Sequence, residues 1–253
     1  MAGRLAHIVR HPIKSLGWEE LPAVELKAGQ VLPFDRHWAL AHEAAAFDGA
    51  PDGWYAKRNF VRGVAAPPLM AISATLSDDA RSVRLSHPER PTLEVTPDNA
   101  DASVGLVDWI APLWPANRPA PARLVAAESQ AMTDVPDPFV AVLNLASLRD
   151  LGQRMGKDLS IHRFRGNLWV DGFAEWEEFD WVGHEIRIGA TRLRVEEPIT
   201  RCNATKANPV TGQVDGDTLA ALEAAFGHRD FGVYATVIEG GRVQHGDIAE
   251  APL

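Results

Sequence analysis

Cysteine is almost missing from this chain: Cys202 is the only one in 253 residues. A single thiol rules out an internal disulfide. It also rules out an iron–sulfur cluster or a four-cysteine zinc site built within the chain. Positive charge is scarce as well. Lysine and arginine total 25 against 34 acidic residues, a net charge of −9. That argues against broad binding to nucleic acid or anionic membranes, which runs on a basic surface. No run approaches the ~18 consecutive apolar residues of a membrane span, and "MAGRLAHIVRHPIKS" has no apolar region of signal-peptide length. A cytoplasmic location, with no nucleic-acid or membrane partner, is therefore expected. The G-x-G-x-x-G and G-x-x-x-x-G-K-[ST] phosphate cradles and the G-x-S-x-G elbow do not occur.

What is present reads as many short strands and few helices. The composition, 46% hydrophobic and 23% charged, suits a soluble protein with a real core. Segments such as "GRLAHIVRHPI" (3–13), "RHWALAHE" (36–43), "NLWVDGF" (167–173) and "HEIRIGATRLRVEE" (184–197) alternate and then meet Gly, Pro or Asp. Gly189-Ala190 and Gly240-Gly241 suit hairpin turns. Helices are expected over 103–114, over 147–156 capped by Ser147 and Gly156, and over 217–227 capped by Asp217 and Gly227. This pattern predicts a mainly β, α+β protein of antiparallel barrels with a few attached helices. The Ala/Pro stretch "WPANRPAPAR" (114–123) marks a boundary near 120, dividing the chain into 1–120 and 121–253. "EAAAFDGAPDG" (43–53) is either a flap or a long hairpin loop.

Three stretches could carry chemistry. In "PITRCNATKANPVTG" (198–212), Cys202 reads either as a small buried apolar residue or as a reactive sulfur. Arg201 and Lys206 flank it, and nearby positive charge favours a thiolate. A thiolate there could serve as a nucleophile or a soft metal ligand. No Cys–His signature adjoins it, although His162 or His184 could approach through folding. In "HRFRGNLWV" (162–170), Arg163, Arg165 and Asn167 alternate into a strand and share one face. They form either a clamp for a phosphate or a solvated surface. "HPIKSL" (11–16) places Lys14 and Ser15 at a strand end, a weak anion signal. In "LPFDRHWAL" (32–40), Arg36 precedes a strand, with Asp35 able to orient it. The pairs His7/His11 and His37/His42 lie on strand-like segments and read as surface or hydrogen-bonded core side chains.

Taken in order, "HPIKSL", "LPFDRHWAL", "WYAKRNF" (54–60), "NLASLRDL" (144–151), "RFRGN" (163–167) and "ITRCNATKANPVTGQ" (199–213) resemble the MOSC family, named after the molybdenum cofactor sulfurase C-terminal region. The likeness is to two-part members with an N-terminal β-barrel, such as the mitochondrial amidoxime-reducing component. It implies a MOSC β-barrel preceded by an N-terminal β-barrel-like domain and a bound molybdenum cofactor (molybdopterin). By that resemblance Cys202 ligates the metal and is catalytic. Lys14, Ser15, Arg36, Arg163, Arg165 and Asn167 hold the pterin and its phosphate, with Ser147, Thr200 and Arg201 as neighbours. Gly166 departs from the family, which often has proline there. The implied activity is reduction of small N-hydroxylated compounds by oxygen-atom transfer to molybdenum. A separate reductase would supply electrons, because this chain lacks a cluster, flavin or nicotinamide motif. A sulfur or cofactor carrier without turnover, and a cofactor-free interaction protein, are the other roles left open.

Overall fold

Alternation builds the larger barrel. In "TRLRV", Thr191, Leu193 and Val195 are buried while Arg192 and Arg194 face solvent, the period of a half-buried strand. The computed structural model describes residues 2–99, 101–126 and 131–252. In chain order these residues form strands β1 (Ala2–Arg10), β2 (Glu19–Leu21), β3 (Ala23–Leu26), β4 (Trp38–His42), β5 (Ser73–Leu76), β6 (Val83–His87) and β7 (Arg90–Val95). Helix α1 (Ala102–Ile110), strand β8 (Pro121–Ala126), β9 (Val140–Asn144), α2 (Leu145–Met155) and β10 (Leu168–Asp171) follow. The chain ends with β11 (Glu185–Ile188), β12 (Thr191–Thr200), α3 (Thr218–Phe226), β13 (Asp230–Glu239), β14 (Gly241–Gln244) and β15 (Ile248–Glu250).

Seven strands close on themselves in the order β10-β9-β13-β12-β11-β15-β1, with β1 pairing back to β10 and β2 added outside β1. Closure leaves those seven without a free edge. Leu5, Ile8, Val142, Val170, Leu193, Val195 and Val233 fill its core. A second apolar cluster, with Trp38, Leu69, Leu85 and Trp109 among its members, belongs to the N-terminal β unit. That unit combines the β5-β6-β7 sheet, the β4-β8 pair and α1. The first strand of the chain thus belongs to the barrel of the later half, and β8 pairs with β4 of the earlier half.

The mainly β architecture with three α-helices agrees with the sequence reading, and several local expectations are corrected. The β9–β10 pair is parallel, not antiparallel, because α2 between them serves as the crossover that parallel pairing requires. Helix α2 starts at Leu145, and its cap is Asn144, whose side chain accepts from the Ala146 N–H at 3.0 Å. Ser147 is one turn inside. The expected caps Gly156 and Gly227, both left-handed, and Asp217 stand where they were read. Gly189-Ala190 does turn a hairpin between β11 and β12. Gly240-Gly241 does not, since β14 leaves β13 to pair with β3. The loop 43–53 lies against β8: Phe47 is buried and its carbonyl accepts from Arg123, while Gly49 O accepts from Arg123 Nε at 3.2 Å.

Gly166 has a steric reason to lack a side chain. A Cβ built there would lie 2.0 Å from Leu143 Cδ1, and one built at Gly232 would lie 2.6 Å from Leu143 Cγ. Leu143 therefore occupies the space on both sides. Overpacking of this kind costs about 1–3 kcal/mol. Gly166→Ala is expected to lower stability by that amount in urea unfolding. Combined with Leu143→Ala, the total loss should fall short of the sum of the single losses by at least ~0.5 kcal/mol. Strict additivity would show that Leu143 is not the obstacle.

Candidate functional site

Where the two halves meet they enclose a cavity of about 460 Å³. Its wall includes Lys14, Ser15, Arg36, Arg163, Arg165, Asn167, Thr200, Arg201 and Cys202, so nine of the ten residues that the resemblance assigns to the site converge there. Ser147 does not. Its hydroxyl donates to Glu178 Oε2 at 2.8 Å and accepts from the Trp176 N–H at 2.8 Å, in a buried cluster away from the cavity.

Three of the lining residues hold left-handed backbone without being glycine: Ser15 (φ 63), Arg36 (φ 51) and Arg165 (φ 49). Non-glycine residues in this region cost roughly 1–2 kcal/mol each, and such strain persists where surrounding contacts fix it. The contacts are visible. The Arg36 N–H donates to His11 O at 2.6 Å, Arg36 Nη1 pairs with Asp35, and Nη2 donates to Arg165 O at 2.8 Å. Asp35 accepts in turn from the His11 N–H at 2.8 Å. Arg165 Nη1 donates to Gly17 O at 3.1 Å, which leaves its buried Nη2 without a partner. Lys14 Nζ donates to Met132 O at 2.8 Å and pairs with Asp134.

The expected shared strand face of Arg163, Arg165 and Asn167 is not what forms. Residues 161–163 make a 3-10 turn, Arg165 bends the chain, and β10 begins only at Leu168. Arg163 instead grips the loop beyond the cysteine, donating to Ala207 O at 3.0 Å and Asp215 Oδ2 at 2.8 Å. Asn167 ties β1 to β9 through Val9 O and the Ala141 N–H. Arg201 donates to Phe164 O at 2.7 Å and to Phe231 O at 2.8 Å, and its guanidinium lies 5.7 Å from the Phe164 ring centre. These three side chains position the walls.

Cys202 is exposed, extended (φ −115, ψ 173), and immediately precedes a 3-10 turn over 203–206. Its carbonyl accepts from Thr205 Oγ1 at 3.0 Å, which helps fix the backbone, and the residue lines the cavity. Of the two readings of Cys202, the buried filler is the one set aside: the polar loop holds the residue exposed. Lys206 turns away to Asp217 at 2.8 Å, so it is not the charge beside the thiol. Nor do His162 and His184 line the cavity. His162 stacks on Trp18 with ring centres 3.3 Å apart.

Charge in the cavity is out of balance. Seven cationic side chains line it against the three acidic ones Asp134, Asp137 and Glu197. Burial and the neighbouring Arg36 push Arg165 down to about 9. Burial pushes Arg201 to about 10, and it pushes Lys14 to about 8 despite Asp134. Burial, Arg165 and Arg36 likewise hold His11 well below its ordinary range. Asp35 goes the other way: burial opposes its charge, but Arg36 and His11 outweigh burial and keep it ionised. Buried cations that repel one another are stabilised by an incoming anion. Among the described residues no group of three or more His, Cys, Asp or Glu could hold a metal. A metal at Cys202 therefore needs donors that arrive with it. An anionic, metal-bearing cofactor satisfies both conditions, and the residues present fit one.

Models of two families match the chain: the MOSC domain over residues 130–250 and the MOSC N-terminal beta barrel domain over 2–110. The chain belongs to the MOSC family. This MOSC protein is 25% identical to mitochondrial amidoxime-reducing component 1 of Mus musculus over 249 residues, covering 84% of this chain and 68% of the mouse protein. It is 38% identical to mitochondrial amidoxime reducing component 2 of Bos taurus over 76 residues, covering 30% of this chain and 22% of the bovine one. The molybdenum cofactor sulfurase of Drosophila grimshawi matches at 35% over 94 residues, which is 37% of this chain but only 12% of the sulfurase. No helix among the described residues is long and apolar enough to cross a membrane.

Several lining residues had not been singled out from the sequence: Asp134, Lys57, Arg62, and the Phe139–Tyr234 pair, stacked 5.4 Å apart. Lys57 and its neighbours lie in the quoted "WYAKRNF", where a charge facing inward could have been considered. Asp134 carries no local signal, because its partners Lys14 and Lys57 are far away in sequence.

The buried Glu178 yields a prediction about stability. Burial raises its carboxyl from 4.5 to about 7, against hydrogen bonds from Ser147 and Asn144. Between those values the folded state holds a proton that the unfolded chain releases. Stability therefore falls as pH rises from 4.5 to about 7 and levels off above. Glu178→Gln keeps an acceptor for Ser147 and is expected to remove this part of the slope in urea unfolding at pH 5 and pH 8. An unaltered slope would show that Glu178 is not its source.

Proposed function

We propose that this MOSC protein holds a molybdenum–pterin cofactor in the cavity and reduces small N-hydroxylated compounds such as amidoximes. The single observation that carries the reading is the exposed Cys202 on the wall of a cavity rich in buried cations. Lys14, Ser15, Arg36 and Arg165 would hold the pterin and its phosphate. Arg165 offers its unpartnered Nη2, and Ser15 and Arg165 stand on the cavity wall in left-handed backbone. Cys202 would supply the protein's ligand to the metal, and Arg163, Asn167, Thr200 and Arg201 would keep the surrounding loops in place. When bound, the cofactor supplies two-electron redox chemistry.

The net reaction cleaves the N–O bond, takes up two electrons and two protons, and releases the hydroxyl oxygen as water. The electrons come from a separate reductase protein. On the protein side, the cavity walls orient the substrate beside Cys202, and the fixed cations require no reorganisation when charge shifts during reduction.

The test begins with protein purified from a host that makes the cofactor. About one molybdenum per chain is expected, together with reduction of benzamidoxime to benzamidine by an artificial electron donor. Cys202→Ala should lose at least a hundredfold in turnover while remaining folded. Metal-bound protein that reduces no N-hydroxylated compound would favour a carrier role. Folded protein without molybdenum, or a fully active Cys202→Ala variant, would overturn the proposal.

A further inference from the structure

The cations around the cavity are not equivalent. Lys14, Arg36, Arg163, Arg165 and Arg201 all donate to backbone carbonyls or carboxylates. Lys57 is half exposed and has only a 3.6 Å contact with Asp134. Arg62 is half-buried on the cavity wall; its carbonyl accepts from the Ala65 and Ala66 N–H groups, while its guanidinium, among the described residues, makes no hydrogen bond and no ion pair. That guanidinium is free to pair with an incoming anion.

Its location is defined by the next residue. A Cβ at Gly63 would lie 3.8 Å from Ala204 Cβ, two positions beyond Cys202. Further along the chain, Pro68 abuts Gly212 so closely that a Cβ on that glycine would lie 2.7 Å from Pro68 Cα. The segment bearing Arg62 is therefore packed against the loop that bears the sulfur. Asp137 and Glu197, both exposed, and the stacked Phe139 and Tyr234 line the cavity as well, with Arg201 and Arg36 near Tyr234. Arg62 is thus the lining cation whose side chain has no partner among the described residues, on a segment packed against the Cys202 loop.

We infer that the substrate carries a carboxylate in addition to its N-hydroxylated group, and that Arg62 binds this carboxylate with Lys57 assisting. A guanidinium matches the two oxygens of a carboxylate in one plane. This inference rests on the reductase reading. It makes Arg62 a specificity residue.

The test compares benzamidoxime with 4-carboxybenzamidoxime on molybdenum-loaded protein with an artificial electron donor. The kcat/KM for the carboxylated compound is expected to be at least tenfold higher, through KM. Arg62→Gln should collapse that ratio toward one, and Arg62→Lys should restore part of it. Molybdenum per chain should stay at the wild-type level in both variants, which separates substrate binding from cofactor binding. A wild-type ratio near one, or a ratio unchanged by Arg62→Gln, would overturn the inference. If neither compound is reduced, the reductase reading fails by itself. Calorimetry with 4-carboxybenzamidoxime and benzamidoxime then decides the Arg62 site. Tighter binding of the carboxylated compound that Arg62→Gln abolishes supports it, and equal binding of the two compounds sinks it.

Discussion

Buried positive charge held by contacts from distant parts of the chain is the constraint on which this structure depends. Arg36 joins Asp35, His11 and the carbonyl of Arg165, while Arg165 reaches back to Gly17. Each of the two arginines occupies a left-handed backbone conformation that an arginine avoids when free. Such a conformation survives when the surroundings determine it more strongly than the residue opposes it. The clasp joins the segment after β1, the segment before β4 and the segment before β10, and the cavity is the space these segments surround. Fold and site are therefore one problem: what holds the halves together also shapes the hollow between them.

The acidic balance of the chain sharpens this point. With a net charge of −9, the molecule as a whole repels anions. Yet cations outnumber carboxylates on the cavity wall, and burial lowers the affinity of Lys14, Arg165 and Arg201 for their protons. A local positive field inside an acidic protein favours one kind of occupant at one place and discourages diffuse binding elsewhere. Cys202, exposed and the chain's single cysteine, borders that field.

Much of this was legible in the residues. The alternation in "TRLRV", the caps Asp217, Gly156 and Gly227, and the breaker at Gly189 are local signals, and the structure follows them. What was illegible depends on long-range pairing. The closure of β1 onto β10 joins residues more than 150 positions apart. The departure of β14 toward β3 has no local mark at Gly240-Gly241. "RFRGN" alternates like a strand, but the left-handed turn at Arg165 breaks the period and sends three polar side chains to three different partners. Ser147 had the chemistry of a cap or a ligand, and only the fold reveals that it faces Glu178 instead. Asp134 could not be found from sequence because its meaning lies in Lys14, some 120 positions away.

The central claim is that the cations of this cavity and the sulfur of Cys202 together hold one metal-bearing anion. Diffraction collected at the molybdenum absorption edge, on crystals of protein purified from a cofactor-producing host, tests it most directly. The account predicts an anomalous peak within bonding distance of Cys202 Sγ and density for the rest of the cofactor among Lys14, Ser15, Arg36 and Arg165. A peak elsewhere in the molecule, or molybdenum-containing protein whose cavity holds no cofactor, would contradict it.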